Sequence, residues 1–335
     1  MNSYSSTVRV GIAGATGYAG QELIALLARH PQVQLEAAMS SSADSAARPL
    51  PRLARLWDGK VEPLSKDRLA SSVDVAFLAM PENAAAELAP SLVDAGVRVI
   101  DLSGAFRIKD DAARSRWYPA TKTLPSGAAY GLTEHYKNEV RGAALVANPG
   151  CYPTAALLAL LPLAKHGLLD ASAGVIIDAK SGISGAGRAA TDRTHFSENH
   201  GSVSAYGIFN HRHVAEMEQE LGASVTFVPH LVPLDRGILE TIYVRVAGAT
   251  TSEKIADAFA DAYASEPFVR LTGDALPEIK HVAWTNFCDI GWRLEPGTRR
   301  LVIVACLDNL VKGAAGQALQ NFNVALGFDE RTALL

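Results

Sequence analysis

Short apolar runs alternate with helix-prone segments through the first half of the chain. The runs, each of which predicts a buried strand, are residues 7–13, 33–39, 73–79, 97–102 and 145–147. After the first run, Leu23, Leu26 and Leu27 have the spacing of a helix face, and residues 84–95 are rich in alanine. Strand and helix alternation at this spacing is typical of a doubly wound parallel sheet, which binds ligands at the carboxyl ends of its strands.

The second half of the chain has a different pattern. Apolar runs at 175–180, 225–230, 238–246 and 301–307 are connected mainly by turns, and Thr250-x-x-Glu253 predicts a capping box before an amphipathic helix. We predict an α+β domain with a mixed, largely antiparallel sheet and helices on one face. Its open face is expected to serve as an interface, because a single-layer sheet must cover its second apolar side.

These two patterns predict two domains. Residues 309–323 read as a glycine turn that feeds a helix of small residues, which we expect to return to the first domain. The predicted boundaries are therefore 1–150 plus 312–335 for a nucleotide-binding domain, and 151–311 for a domain that carries catalysis and oligomerisation.

A glycine-rich turn joins the first predicted strand to the first helix. Glycines recur there at three-residue intervals, in the segment Gly14-Ala15-Thr16-Gly17-Tyr18-Ala19-Gly20. Such glycines allow a tight turn, close approach of a pyrophosphate and close packing of helix on strand, while the helix N-terminus faces the anion. Because the turn follows a strand and opens a helix, we predict an α/β Rossmann dinucleotide-binding domain rather than a purely structural turn.

The end of the second predicted strand bears on the choice of cofactor. In a Rossmann unit that prefers NAD, an acidic residue near this point binds the ribose 2′-hydroxyl. Here Ser40 and Ser41 follow the strand, with Arg48 downstream, and these groups suit a 2′-phosphate. The sequence therefore favours NADP(H). The alternative is that residues 40–45 form an ordinary polar loop.

A turn of glycine and proline separates residues 145–147 from an apolar helical segment. Pro153 suits the first helical position, where its fixed φ is favourable and its missing N–H costs nothing. Cys151 would then lie just ahead of the helix, where free amides and the macrodipole favour a thiolate and can hold an oxyanion. Cys288 and Cys306 resemble buried structural cysteines, and that remains the alternative for Cys151.

Two more segments are candidates for chemistry. Residues 181–188 follow a strand and offer hydroxyls, flexible amides and the Arg188 guanidinium, which suit a phosphate or carboxylate. An ordinary surface loop is the alternative there. His211 and His213 would point differently on a helix, so no metal pair is predicted. We interpret one of them as general acid/base for Cys151, with solvated surface histidines as the alternative.

The composition narrows the class of protein. The 335 residues carry a net charge of −4 with no basic run, which argues against nucleic acid as a partner. Three scattered cysteines predict neither a disulfide framework nor a zinc ribbon. Residues 1–6 lack the basic segment followed by an apolar core that is typical of a signal peptide. No apolar span reaches the ~20 residues needed to cross a bilayer. A cytoplasmic protein without membrane contact is expected.

Several motifs together resemble a known family. They recur in order as Gly14-x-x-Gly17-Tyr18-x-Gly20, Asp101-Leu102-Ser103-x-x-Phe106-Arg107, Tyr130-Gly131-Leu132, Asn148-Pro149-Gly150-Cys151-Tyr152-Pro153-Thr154, Ser181-Gly182-x-Ser184-Gly185-Ala186-Gly187-Arg188, His211-Arg212-His213, Pro229-His230-Leu231-x-Pro233-x-x-Arg236-Gly237 and Lys312-Gly313-Ala314-Ala315-Gly316-Gln317. From about Val8 to Asn323 the chain resembles the N-acetyl-γ-glutamyl-phosphate reductases of arginine biosynthesis, relatives of aspartate-semialdehyde dehydrogenase.

The resemblance implies an NADPH-dependent reduction of an acyl phosphate to an aldehyde with release of phosphate. On this basis Cys151 would form a thioester, and the family's active-site histidine lies in the His-Arg-His motif, where we favour His211 and keep His213 as the alternative. The implied cofactor contacts extend to Pro81, Ser184, Gly185 and Asn309. The implied substrate contacts are Ser103, Arg107, Asn148, Ser181, Gly182, Arg188 and His213.

Other functions stay open at this point. Reductases of carrier-linked glutamyl or aminoadipyl phosphates share these motifs, and aspartate-semialdehyde dehydrogenase is a further alternative. Tyr152-Pro153 after the cysteine and the His-Arg-His motif argue against the latter. From a different class, the chain would be a nucleotide-sensing Rossmann protein without turnover. The expected partners are a small acyl phosphate and further copies of the chain, in a homodimer or homotetramer.

Overall fold

The structure is a computed structural model that describes residues 7–41, 46–295 and 297–335. Its strands are β1 (Val8–Ala13), β2 (Val33–Met39), β3 (Arg48–Pro49), β4 (Lys60–Val61), β5 (Val75–Leu78), β6 (Arg98–Asp101), β7 (Ala129–Tyr130), β8 (Leu145–Ala147), β9 (Val175–Gly182), β10 (Ser204–Ala205), β11 (Val225–Val232), β12 (Ile238–Arg245), β13 (Val269–Leu271), β14 (Cys288–Leu294) and β15 (Arg300–Leu307). Its helices are α1 (Tyr18–Leu27), α2 (Lys66–Ser72), α3 (Glu82–Asp94), α4 (Asp111–Trp117), α5 (Thr133–Gly142), α6 (Cys151–Lys165), α7 (Phe196–Asn199), α8 (His213–Leu221), α9 (Ser252–Tyr263), α10 (Ile279–Val282) and α11 (Gly316–Leu326).

The chain divides into two compact units. The first consists of Met1–Pro149 and Ala314–Leu335, and the second of Gly150–Gly313. The chain therefore leaves the first unit just before Cys151 and re-enters it at Ala314, shortly before α11. The first unit contains the glycine-rich turn, and the second contains Cys151 and the His-Arg-His motif.

The first unit is built on a parallel sheet with strands in the order β2-β1-β5-β6-β8-β7. On one face, apolar side chains of α1 and α11 pack against β1 and β5, as Leu23 and Phe322 do on Ile12 and Phe77. On the other face, α2 and α3 supply their own apolar cluster. The predicted doubly wound parallel sheet is confirmed, although the two-residue edge strand β7 was not predicted. The strand order reverses direction at β1, which places the ligand crevice of such sheets beside β1 and β5.

The second unit contains a mixed sheet in the order β10-β11-β9-β12-β15-β14-β13. Pairs β10/β11, β9/β12, β12/β15 and β14/β15 are antiparallel, whereas β11/β9 and β13/β14 are parallel. This confirms the predicted mixed, largely antiparallel sheet. The sequence missed β10, β13 and β14. It also placed every helix on one face, whereas the one-turn helix α10 packs on Val304 and Cys306, which point away from the face that carries Ile303.

Helix α6 is apolar around its whole circumference and is buried from Tyr152 to Leu163, as expected of a helix enclosed within its unit. It begins at Cys151, so the prediction that Pro153 is the first helical residue was wrong by two positions. Pro153 still fits, because the first four amides of a helix have no partner within that helix.

Helix α9 also begins differently from the prediction. Its N-cap is Thr251, whose side chain accepts a hydrogen bond from the Lys254 N–H. Thr250 instead donates its hydroxyl hydrogen to the Ala247 carbonyl. The predicted capping box at Thr250 was therefore wrong by one residue, because two adjacent threonines offer the same capping chemistry.

Glu240 is a buried acid in the middle of the second sheet. It lies on the same buried face of β12 as Ile238 and Ile242, and among the described residues neither carboxyl oxygen has a hydrogen-bond partner. Burial raises the pKa of Glu240 well above its usual value, so the folded chain holds this carboxyl in its neutral form. The unfolded chain releases the proton above its ordinary pKa of about 4.3. Stability is therefore lost as pH rises from there toward the raised folded pKa.

We expect the Glu240→Met variant to be more stable than the wild type by about 1–3 kcal/mol at neutral pH, because it removes an unsatisfied buried polar group. Glu240→Gln is the matched control, since it abolishes the titration but keeps a polar side chain. Urea unfolding at several pH values measures both effects. A Glu240→Met chain that is less stable than the wild type would show that the carboxyl has a stabilising partner.

Candidate active site

Cys151 is the first residue of α6, and Gly150 is its N-cap in an extended conformation. Cys151 is half-buried, whereas Cys288 and Cys306 are buried. Burial and neighbouring carboxylates raise the pKa of Cys306, which keeps that thiol protonated. Cys151 instead lies at the positive end of the α6 dipole, and this environment favours a thiolate.

Glycine at position 150 makes room for a histidine beside Cys151. A Cβ at Gly150 would lie 2.5 Å from the His213 Nε2 atom, so the imidazole lies directly on the backbone next to the cysteine. The Gly150 N–H donates to the Glu216 Oε2 atom at 3.0 Å. Glu216 is fully buried, and its other oxygen lies 3.9 Å from His213 Nε2. A cysteine, a histidine and an acid are thus gathered at the start of α6.

His211 has a different environment. Its ring lies in edge contact with the rings of Tyr152, Tyr206, Phe227 and His213. Its Nδ1 atom accepts the backbone N–H of His213 at 3.3 Å. Burial, assisted by the Arg212 charge, lowers the pKa of His211 to about 4. The imidazole is therefore neutral at physiological pH, and its hydrogen bond stabilises the turn that leads to His213.

The sequence did not identify Glu216 as part of this site. A signal was present in the spacing, because His213 and Glu216 are three residues apart and so share one face of α8. The spacing could not show that Gly150 contacts Glu216, because Gly150 lies at the start of a different helix.

A pair of tyrosines lies in the same unit. The Tyr152 and Tyr206 hydroxyl oxygens are 3.2 Å apart, and burial raises the pKa of both phenols.

The predicted polar loop after β9 forms a short 3-10 turn at Ile183–Ala186. Asn309 ties this turn to β12: its Nδ2 donates to Ser184 Oγ at 2.9 Å, and its Oδ1 accepts the Gly237 N–H at 2.7 Å. Ser181 is buried, and its hydroxyl oxygen would lie 2.8 Å from a Cβ at Gly185.

Two other predicted residues of this loop differ in exposure. A Cβ at Gly182 would lie 2.7 Å from backbone atoms of Arg236, so only glycine fits there. Arg188 lies in the exposed stretch beyond the turn, two residues past its end. The structure thus brings Ser181, Gly182, Ser184, Gly185 and Asn309 together, with Arg188 at the loop's exposed end.

In the first unit, the glycine turn connects β1 to α1. Gly14 has φ +92°, and a Cβ there would overlap the Ala79 carbonyl after β5. Gly20 is packed against the Gly14 carbonyl, so the fold itself requires glycine at both positions. A Cβ at Gly17 would meet only the Gly14 oxygen, at 3.4 Å, and φ is −71°. The fold therefore does not require glycine at position 17, and its open backbone suits a ligand that approaches closely.

Other predicted residues follow the carboxyl ends of neighbouring strands in the same sheet. Ala15 is buried and its N–H donates to the Met39 carbonyl, while Thr16 and Tyr18 are partly exposed. Ser40 is buried and follows β2, Ser41 is exposed, and Pro81 is exposed after β5. Residues 42–45 of the predicted polar loop lie outside the described residues, and Arg48 is exposed in β3.

Asp101 organises the loop after β6. Its carboxylate accepts hydrogen bonds from the Ser103 N–H at 3.0 Å and the Ser103 hydroxyl at 2.8 Å. Complete burial raises the pKa of Asp101 to about 6 against the opposing effect of these bonds and of Arg107. Arg107 is buried and donates through Nη2 to the Leu102 carbonyl. Ser103 and Arg107 are therefore held together at the carboxyl edge of this sheet.

The predicted substrate residue Asn148 is buried, with both side-chain polar atoms engaged. Its Nδ2 donates to the Ala314 carbonyl, and its Oδ1 accepts from Asn321 of α11. These contacts hold the end of β8 in place. Asn148 therefore stabilises the segment that leads to Cys151, and its predicted contact with substrate stays a prediction.

Membrane-spanning helices and clustered metal ligands are both absent from the described residues. In residues 7–41, 46–295 and 297–335, no helix is both long and apolar enough to span a membrane. Within the same part of the chain, no three or more His, Cys, Asp or Glu side chains are grouped so that they could hold a metal ion.

Each of the two units matches the model of a known protein family. The family described as semialdehyde dehydrogenase, NAD binding domain, matches residues 9–143. The family described as semialdehyde dehydrogenase, dimerisation domain, matches residues 151–309.

Curated relatives match nearly the full chain. The chain is 46% identical to the N-acetyl-gamma-glutamyl-phosphate reductase of Symbiobacterium thermophilum, 45% identical to that of Desulforapulum autotrophicum and 43% identical to that of Bacillus subtilis. Each alignment covers 98% of this chain and 98% of the relative.

Solved structures share the fold at lower identity. The aspartate semialdehyde dehydrogenase II of Vibrio cholerae, complexed with ASA, aligns with a TM-score of 0.74 and 18% identity over 96% of this chain and 99% of that chain. The aspartate semialdehyde dehydrogenase of Candida albicans, with NADP, aligns with a TM-score of 0.69 and 18% identity over 95% and 98% of the two chains.

Proposed function

The chain belongs to the N-acetyl-γ-glutamyl-phosphate reductase family of semialdehyde dehydrogenases, and we propose that it reduces N-acetyl-L-glutamyl 5-phosphate to N-acetyl-L-glutamate 5-semialdehyde with NADPH, in arginine biosynthesis. The observation that carries this proposal is the start of α6, where Cys151 stands beside a histidine that contacts a buried acid. That grouping supports an activated thiol nucleophile.

Acyl transfer to Cys151 is the first step of the proposed mechanism. His213 takes the thiol proton, and the thiolate attacks the γ-carbonyl carbon of the acyl phosphate. A C–S bond forms, the bond from that carbon to the phosphate oxygen breaks, and phosphate leaves. The positive end of the α6 dipole stabilises the oxyanion that develops during the attack.

Reduction of the thioester is the second step. When bound, the nicotinamide of NADPH supplies a hydride to the thioester carbon. His213 donates its proton to the oxygen of the resulting thiohemiacetal and removes it again as the C–S bond breaks. The aldehyde is released, and Cys151 is left as a thiolate.

We propose His213 as the base, in place of the predicted His211. The His213 imidazole lies on Gly150 and within 3.9 Å of a Glu216 oxygen, which can orient the ring and stabilise its protonated form. The His211 imidazole is surrounded by aromatic rings and has a lowered pKa of about 4, which makes it a poor proton acceptor at neutral pH.

The residues of the first unit fit NADP(H). The turn from Gly14 to Gly20 would hold the pyrophosphate, with Gly17 providing the close backbone approach. Ser40, Ser41 and Arg48 would bind the 2′-phosphate, since hydroxyls and a guanidinium suit that anion. The proposal also keeps the further cofactor contacts that the family resemblance implies, which are Pro81, Ser184, Gly185 and Asn309.

Gly17 offers a direct test of the cofactor site. We expect Gly17→Ala to leave the melting temperature unchanged, because a Cβ fits there, and to raise the Kd for NADPH at least about tenfold. Fluorescence titration of NADPH measures the Kd. Gly142→Ala is the matched control, since its Cβ would meet nothing within 4 Å, and both Kd and melting temperature should stay as in the wild type. Unchanged NADPH affinity in Gly17→Ala would place the pyrophosphate elsewhere.

Two sets of residues would bind the anionic groups of the substrate. Ser103 and Arg107 are positioned by Asp101 in the first unit, and Ser181, Gly182 and Arg188 belong to the loop after β9 in the second. Guanidinium groups pair with carboxylate and phosphate oxygens in bidentate fashion, so we assign Arg107 and Arg188 to these anions.

The matched dimerisation family supports a homo-oligomer, and we propose a dimer or tetramer. Ile176 and Tyr243 are paired across β9 and β12 and remain half-exposed, on the side of the sheet opposite to buried Ile177 and Ile242. A cavity of about 490 Å³ opens beside them. An apolar sheet face of this kind is expected to be covered by a second copy. The cytoplasmic location stays a prediction.

The reverse reaction tests the proposed function. With N-acetylglutamate semialdehyde, NADP and phosphate, the protein should form NADPH only when phosphate is present, and aspartate semialdehyde should not replace the acetylated substrate. NADPH formation with aspartate semialdehyde alone would support the dehydrogenase alternative. Activity confined to carrier-linked substrates would support that reductase alternative. NADP(H) binding without turnover on any of these substrates would support a nucleotide sensor.

A further inference from the structure

Asp308, at the end of β15, is a fully buried carboxylate that gathers donors from separate segments. Its Oδ1 atom accepts the backbone N–H groups of Leu310 at 2.8 Å and Val311 at 3.0 Å. Its Oδ2 atom accepts the Trp284 N–H at 2.6 Å and the Arg236 Nη1 at 3.2 Å. One end of the carboxylate thus fixes the turn that follows β15, and the other end is itself held by two residues from elsewhere in the unit.

The turn fixed by Asp308 reaches Cys151. The Gly313 N–H donates to the Asp308 carbonyl at 2.8 Å. A Cβ at Gly313 would lie 2.7 Å from the Cβ of Cys151 and 3.3 Å from the Asp308 carbonyl oxygen. The backbone at Gly313 therefore forms a wall against the cysteine side chain. Any movement of this turn changes the space in which the sulfur can lie.

The residues behind Asp308 are held under constraint. Trp284 has φ +67°, a left-handed conformation that is unfavourable for a bulky residue, and its N–H is held by Asp308 in that conformation. The Arg236 guanidinium stacks on the Trp284 ring at 3.3 Å from the ring centroid. Arg236 is buried, whereas Trp284 is 60% exposed. Trp284 thus carries a backbone strain that a glycine would relieve, while its N–H and the guanidinium stacked on its ring both contact Asp308.

We propose that Asp308 is a positioning residue for the Cys151 thiolate, acting through the Gly313 turn, and that Arg236 and Trp284 fix the carboxylate in the required orientation. The proposal deepens the proposed function, because it concerns the same nucleophile. It is also independent of the substrate, since the reactivity of the thiol toward an alkylating reagent reports on the position of the sulfur without any turnover.

A purely structural role is the competing explanation, and the chain contains a control for it. Asp289 is also a buried acid of the same sheet, and it pairs with Arg270 through Nε at 2.6 Å and Nη2 at 2.9 Å. No hydrogen bond described for Asp289 involves the turn beside Cys151. Asp308→Asn and Asp289→Asn therefore each disrupt an arginine–aspartate pair, but only the first disturbs the wall at Gly313.

The experiment measures thiol alkylation by iodoacetamide across pH, together with kcat, KM and melting temperature, for the full-length protein and both variants. We expect Asp308→Asn to slow alkylation and to lower kcat by a factor between about 10 and 100, with little change in KM, because a displacement of about 1 Å can cost this much. Asp289→Asn should lower the melting temperature while both rates stay close to those of the wild type. Mass spectrometry confirms that Cys151 is the alkylated residue.

Electrostatics alone predicts the opposite result. Removing a negative charge near Cys151 favours the thiolate, so alkylation at low pH would become faster in Asp308→Asn. Faster alkylation, or equal losses of rate in the two variants, would overturn the positioning role. Slower alkylation in a protein whose wild type reduces no acyl phosphate would support the positioning role and reject the proposed function.

Gly313→Ala provides a second test in case Asp308→Asn folds poorly. The added methyl group presses directly on the Cys151 Cβ, so the same loss of alkylation rate and kcat is expected while the Asp308 contacts stay intact. A Gly313→Ala protein with wild-type alkylation would show that this wall does not position the sulfur.

Discussion

Cys151→Ser should lower turnover by a factor on the order of 10⁴ or more, because it replaces the nucleophile of a covalent mechanism. A serine hydroxyl at the start of α6 is far less ionised than a thiol, so the helix dipole and the neighbouring His213 cannot activate it to the same extent. NADPH affinity should not change, because the glycine turn belongs to the other unit. Steady-state assays in both directions and fluorescence titration of NADPH measure these quantities.

Cys288→Ala is the matched control for this experiment. Cys288 is buried at the start of β14, so its replacement should lower the melting temperature and leave kcat nearly unchanged. If Cys151→Ser kept more than about one hundredth of the wild-type turnover, a thioester on this residue would not be required, since removal of a covalent nucleophile costs far more.

Much of the fold could be predicted from hydrophobic periodicity. The strands β2 and β8 have the predicted limits, because each is an apolar run bounded by polar or turn residues. Strand β14 was missed because Asp289, Gly291 and Arg293 interrupt its pattern. These residues are tolerated through tertiary contacts: Asp289 pairs with Arg270, and a Cβ at Gly291 would press on Thr272 and Pro277. Such contacts are not visible in the strand's own sequence.

The site was predictable only where its residues lie close together in the chain. The turn around Cys151 and the glycine loop were recognised because each combines a strand end with a helix start. Glu216, Asp308 and Gly313 were not recognised, because their roles depend on segments that meet only in the folded unit. Asn148 was assigned to substrate from its motif, and its additional structural role became visible only through its burial and the Asn321 contact.

The choice between the two histidines shows the same limit. His211 and His213 are equivalent in sequence, since both flank Arg212 and both precede the body of α8. Their environments differ only after folding. Aromatic rings then enclose His211, whereas His213 lies against Gly150 and Glu216. Burial then lowers the pKa of His211 to about 4, which separates the two residues chemically.

His213→Gln should therefore lower kcat/KM by a factor of roughly 10² to 10⁴, the usual cost of losing a general acid/base. Glutamine can fill much of the space on Gly150 but cannot take the thiol proton. The loss should diminish at high pH, where hydroxide in solvent deprotonates Cys151 without help. The pH profile of kcat/KM and of iodoacetamide alkylation measures this recovery, which a merely structural defect would not show.

His211→Gln is the paired variant that decides between the two histidines. Because His211 is neutral throughout the physiological range, its replacement removes no titrating group above about pH 5, and the shape of the pH profile should match the wild type. The rate should fall less than in His213→Gln, through loosened packing around Tyr152 and Phe227. A larger loss in His211→Gln, with a pH profile that loses its acidic limb, would return the role of base to His211. Glu216 would then serve only to hold Gly150.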